Sequence, residues 1–146
     1  MAIFIFFTAI LIYILTAISR EDIKTMLISE NRLRIFALSG FLYLVCLGYS
    51  YEKVNSIDLI INNSFSMINI FLIMYLIRYI SNKFIRINSL GMGDIKLFSI
   101  SAIWLGFEFS FISIYISFIL SSIYSLNGKI TKKFKMFHQY PFAPFI

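Results

Sequence analysis

The chain alternates long apolar runs with short polar segments that carry most of its charge, and this alternation restricts the fold more than any single residue does. Ala2–Ser19 holds eighteen residues without a charge, about 27 Å as a helix and close to the thickness of a bilayer's hydrocarbon core. Ile35–Tyr51 holds seventeen more. Ile57–Ile80 is long enough to cross with tilt, although it carries Asp58, Asn62, Asn63, Asn69 and Arg78. Asparagines in such a helix bond to neighbouring helices, and Arg78 can reach out from its end. Ile95–Leu126 has thirty-two residues, about 48 Å as one helix, which is too long for a single crossing. It reads as two helices broken near Leu105-Gly106-Phe107-Glu108. Charged residues make up only 14% of the chain, against about 25% in a soluble domain. These features predict an all-α, polytopic integral membrane helix bundle of about five spans, forming one domain over residues 1–146.

The basic residues orient the spans. Four lie in the first polar segment (Arg20, Lys24, Arg32, Arg34), four at the third (Arg78, Lys83, Arg86, Lys96) and four in the fifth (Lys129, Lys132, Lys133, Lys135). The second segment has only Lys53, and the fourth has none. Basic segments stay on the cytoplasmic side. The expectation is therefore an N-terminus outside and the odd segments inside. The net charge of +6 then faces lipid headgroups, and no basic patch interleaved with aromatics points to a nucleic acid partner. Cys46 is the only cysteine and His138 the only histidine. That excludes an intrachain disulfide and a cysteine zinc cluster. Neither a P-loop nor a G-x-G-x-x-G is present, so no nucleotide or other cofactor is expected.

The candidate chemistry lies in Leu90-Gly91-Met92-Gly93-Asp94-Ile95-Lys96-Leu97, which sets a carboxylate at the edge of an apolar run directly after two glycines. A carboxylate at membrane depth is costly and marks a functional position by default. Gly91 and Gly93 permit positive φ and close approach of another chain. The structural alternative is an Asp at a helix N-terminus that satisfies free N–H groups there. The predicted topology brings Asp94 to the same membrane face as Asp22, which follows the first span. Two carboxyls brought close share a proton, so that one can take a proton from water while the other donates to a carbonyl oxygen. The alternative is a set of interfacial charges, with Asp22 paired to Arg20 or Lys24 and Asp94 to Lys96. The serines of the last apolar run suit helix packing, and Trp104 and the tyrosines suit interfacial belts or packing.

Gly91-Met92-Gly93-Asp94-Ile95-Lys96-Leu97 resembles the G-x-G-D-x-K-L motif of the type IV prepilin peptidases. Asp22-Ile23-Lys24-Thr25-Met26-Leu27-Ile28 resembles that family's other aspartate segment, and Pro141-Phe142-Ala143-Pro144-Phe145 its Pro-Phe-Gly-Pro-Phe segment. The resemblance implies a membrane aspartic endopeptidase of the bacterial inner membrane. Such an enzyme removes the short basic leader of a prepilin or pseudopilin at the cytoplasmic face, with membrane lipid around it and no cofactor. It implies Asp22 and Asp94 as the catalytic pair, with Gly91, Gly93, Lys96 and Lys24 supporting the loops around them. The larger members also methylate the product and carry a cysteine-bearing insertion; this chain resembles the minimal, peptidase-only form. Three departures stand out. Ser29 replaces a usual proline, which leaves the turn after Asp22 less fixed. Ala143 replaces a usual glycine. The chain ends at Ile146, where the family has a further helix. The rival expectations are an inactive or accessory relative and a small non-enzymatic transport subunit.

Overall fold

Four long helices and one short 3-10 turn make up the fold in a computed structural model that describes residues 2–50, 55–85, 90–131 and 142–146. His138, Pro141, Lys53, Arg86, Lys132, Lys133 and Lys135 lie outside the described residues. The helices are α1 (Ala2–Thr25), α2 (Glu30–Ser50), α3 (Ser56–Ile85) and α4 (Met92–Ile130), followed by the turn Ala143–Phe145. All four are long and apolar enough to cross a membrane. Each helix outruns its apolar run by part of a turn or more at one end. Thus α1 continues past Ser19 to Thr25, which places Asp22 inside its last turn.

Local chemistry accounts for the ends. The α1 helix stops where Met26 takes a positive φ of 53°. Ser29 caps α2: its carbonyl accepts the N–H of Leu33 at 3.2 Å and its Oγ that of Arg32 at 3.4 Å. Asn55 caps α3, its Oδ1 accepting the N–H of Ile57 at 3.1 Å. Gly91 precedes α4 and its carbonyl accepts the N–H of Ile95 at 3.3 Å.

The expected break in the last apolar run is at Gly106, where φ is 74° and ψ −180°. That region is essentially restricted to glycine. Phe98 and Phe118 are twenty residues apart and would be about 30 Å apart along a straight helix, yet their rings stack with centroids at 6.3 Å. The α4 helix therefore folds back on itself as a hairpin, with arms 92–105 and 107–130. The first arm is about 21 Å long, shorter than a hydrocarbon core of about 30 Å. Backbone opened at such a depth must be covered by protein. In an unbroken helix the carbonyl of Ile103 would accept the N–H of Phe107. Here the side-chain amide of Asn63 donates to it at 2.8 Å. An asparagine of α3 thus bonds to the backbone of α4 just before the break.

The first arm of α4 is the centre of the bundle. Ile95, Leu97, Phe98, Ala102 and Ile103 are all fully buried, as expected for a helix apolar on every side. It packs against α3 through Ile70 and Met74 and against the α1–α2 pair through Ile18, Leu33 and Phe36. Lipid tails are as apolar as leucine, so helices in a membrane associate through close packing and hydrogen bonds. Gly40 provides one such contact. A Cβ there would lie 2.8 Å from Trp104 Nε1, which instead donates to the carbonyl of Phe36 at 3.1 Å. Trp104 also stacks on Phe36 and Tyr43, so of the two roles open to it, packing is the one it takes. The buried serines 99, 101, 110 and 121 each donate to a carbonyl of their own helix, three or four residues back. The outer faces carry exposed Phe4, Phe6, Leu38, Leu42, Phe65 and Phe109.

Candidate active site

Because α1 ends and α4 begins at the same end of the bundle, Asp22 and Asp94 come within Coulombic range of each other. They are seventy-two residues apart in the sequence. Asp22 is buried, with 4% of its surface exposed, and Asp94 is half-buried. Among the described residues neither is in an ion pair. The pairings of Asp22 with Arg20 or Lys24, and of Asp94 with Lys96, do not form. Lys96 Nζ instead lies 2.6 Å from Glu30 Oε1 on α2.

Asp94 is the third residue of α4, and its carboxylate turns back to the N–H of Gly91. This is the reciprocal half of a capping box, in which the third helical residue satisfies the N-cap amide. The helix-capping alternative is therefore realised, and it coexists with the approach to Asp22. The glycines act differently from one expectation. Neither Gly91 nor Gly93 has a positive φ; among the described glycines only Gly106 does. What they provide is space. A Cβ on Gly91 would sit 2.7 Å from Asp94 Oδ2. One on Gly93 would sit 3.3 Å from Ile28 Cβ. Gly91 thus clears the Asp94 carboxylate, and Gly93 seats the turn that follows Asp22 against the start of α4.

That turn is tied down despite the absence of proline. The N–H of Ser29 donates to Glu21 Oε2 at 3.3 Å, and Arg32 Nε lies 3.3 Å from the same oxygen. Arg32 Nη1 donates to the carbonyl of Ala17. Thr25 Oγ1 donates to the carbonyl of Glu21 at 2.9 Å. A looser turn was the expectation from Ser29; this network replaces the missing ring constraint, and none of Glu21, Arg32 or Ile28 was among the expected site residues.

The tail supplies the other unexpected contact. The N–H of Ala143 donates to Asp22 Oδ2 at 2.8 Å, across 121 residues. Ala143 has no positive φ, so alanine in place of glycine introduces no strain. The tail packs against both α1 and α4, the helices that bear the two carboxylates.

The two expected supporting lysines are elsewhere. Lys24 is exposed and lines a pocket of about 480 Å³ with Arg20 and Arg32 on the outer side of α1. Residues two apart on a helix do not share a face, so Lys24 cannot follow Asp22 inwards. Lys96, held by Glu30, lines the mouth of an apolar groove of about 460 Å³ between α2, α3 and α4. Neither aspartate lines that groove.

With this geometry in hand, comparison with known families gives one finding. The model of the type IV leader peptidase family matches residues 9–126, a range that holds Asp22, Gly91, Gly93 and Asp94 and stops before the tail. Neither curated proteins nor solved structures give a match.

Proposed function

The chain belongs to the type IV leader peptidase family, and from that premise we propose that it is an aspartic endopeptidase that removes the basic leader of a prepilin-like or pseudopilin-like substrate. The supporting observation is that α1 and α4 bring Asp22 and Asp94 to the same end of the bundle, where Gly93 packs against Ile28 and neither aspartate is in an ion pair among the described residues. In the proposed site the two carboxyls hold one proton between them. In the proposed reaction the ionised carboxylate takes a proton from water, whose oxygen attacks the scissile carbonyl. The protonated carboxyl donates its proton to the carbonyl oxygen. As the resulting tetrahedral centre collapses, one of its hydroxyls returns a proton to the carboxylate that donated, the C–N bond breaks, and the leaving nitrogen takes the proton that the other carboxylate took from water. One shared proton remains, and the cycle is closed without a cofactor.

The proposed placement is the bacterial inner membrane, with the N-terminus outside and the aspartates at the cytoplasmic face, as the basic residues direct. The α4 hairpin fits this placement. With its two arms counted as separate segments, the proposed topology has residue 130 on the side from which residue 92 starts. A substrate made of a basic leader, a glycine and an apolar helix tests the activity. Membranes containing this protein as the only peptidase should convert it to the shorter form, and sequencing should locate the new N-terminus directly after the leader. An uncut substrate would favour an inactive relative.

A further inference from the structure

We propose that the backbone N–H of Ala143 is the positioning donor of Asp22, and that residues 142–146 act as a strap that must be docked for the aspartate pair to work. This rests on the proposed two-aspartate reading and gives a defined role to a segment beyond the family match.

The direction of the bond follows from the strap's own geometry. The N–H of Phe145 is used by the carbonyl of Phe142 at 3.0 Å, and that of Ile146 by the carbonyl of Ala143 at 3.2 Å. Pro144 has no N–H. Of residues 143–146, Ala143 therefore holds the one amide left to point outwards, and it points at Asp22 Oδ2. The strap is anchored independently of that bond. The Phe142 ring packs against Phe98 at 5.9 Å and Phe118 at 5.4 Å. Ser117 Oγ donates to the carbonyl of Phe145 at 2.5 Å. Ile146 packs against both buried clusters. These anchors hold the amide in place before any charge develops, which is the arrangement that makes a fixed dipole effective.

Asp22 needs such a donor. A carboxylate with 4% of its surface exposed is costly unless something hydrogen-bonds to it, and a backbone N–H to an ionised carboxylate is among the stronger hydrogen bonds. Holding Oδ2 fixes the side chain and leaves its other oxygen out of that bond. Asp94 has the matching arrangement with the Gly91 amide. Each carboxylate is thus gripped by one backbone N–H.

The test exchanges Ala143 for lactic acid in the full chain, which replaces the N–H by an ester oxygen and keeps the side chain. Ala143→Gly, which keeps the N–H, is the conservative control. The ester should lower kcat for leader removal about tenfold or more, with KM little changed and the pH profile displaced, while Ala143→Gly retains cleavage. Equal kcat for the ester and the unaltered protein overturns the proposal. So does a loss confined to KM, or a loss of the same size in Ala143→Gly. Thermal unfolding reads the contact without any substrate. The ester should lower the midpoint in the Asp22 protein and leave it unchanged in Asp22→Ala. Equal shifts in both would show that the bond does not form. Coupling in unfolding together with no cleavage by the unaltered protein would remove the peptidase reading and, with it, the positioning role.

Discussion

Replacing Gly93 by valine should uncouple the two aspartate segments. A Cβ at residue 93 already lies 3.3 Å from Ile28 Cβ and 3.5 Å from Ile28 Cγ1 and Cδ1. The two further methyl groups of valine reach into the space that Ile28 fills. Overpacking of this kind costs about 1–3 kcal/mol, and the surroundings relieve it by moving the neighbour that is pressed. Here that neighbour is the turn 26–29, which is covalently continuous with the last turn of α1 and so with Asp22. A misplacement of about 1 Å at a reacting group lowers rates by about 10²-fold. The expected outcome is a Gly93→Val protein that inserts normally and cuts about a hundredfold more slowly. Ile28→Ala on its own should cost about 1–2 kcal/mol of stability, the low end for such a change because Ile28 is half-buried. Placed in the Gly93→Val background it should restore most of the rate, since it returns the volume that valine takes. The measurement is conversion of a prepilin-like substrate in membranes matched for inserted protein, run as a double-mutant cycle. Unimpaired cleavage by Gly93→Val, or additive loss in the double variant, would refute the seating of Ile28 on Gly93.

Gly106→Ala should lower stability by about 1–3 kcal/mol, because alanine cannot take that φ and ψ without strain. Asn63→Ala should cost about 1–2 kcal/mol by removing the hydrogen bond to the Ile103 carbonyl; thermal unfolding in detergent checks both. Breaking the Lys96–Glu30 pair with Lys96→Gln should cost no more than about 1 kcal/mol, since both side chains are substantially exposed, and leader cleavage should survive it. Reporter fusions after Asn31, Lys53, Asn88 and Lys133 should read inside, outside, inside and inside; an external reading at Asn88 would set Asp94 across the membrane from Asp22.

Much of the fold was legible because it rests on short-range rules. The apolar runs located the helices, and helix length alone required a break in the last run, where Gly106 was the residue able to make it. The helix ends were less legible. An apolar run ends where charge begins, whereas a helix continues until its backbone is stopped, so Asp22 proved to lie inside α1. The shared position of Asp22 and Asp94 followed from the topology read off the lysines and arginines. Their immediate partners did not. Lys24 and Lys96 are neighbours of the aspartates in sequence, but helix geometry turns Lys24 to the outer side and Glu30 captures Lys96. Of the two uses open to the motif's glycines, close approach is the one found at Gly93, but what approaches was not legible, because it depends on Ile28 and on the Asp94 side chain. The Ala143 amide could not be found by pattern at all. A backbone N–H carries no residue signal, and the resemblance of Pro141-Phe142-Ala143-Pro144-Phe145 to a family segment was the one pointer to it.

The central claim is that Asp22 and Asp94 work as one unit, and leader conversion by three variants tests it most directly. Groups that act as a unit are strongly non-additive. Asp22→Asn and Asp94→Asn should each abolish conversion, and the double variant should be no worse than either. All three should accumulate in the membrane like the unaltered protein, because a neutral isostere costs less to bury than a carboxylate. Near-normal conversion by either single variant would contradict the mechanism, removing that aspartate from the chemistry and leaving its position a matter of helix structure.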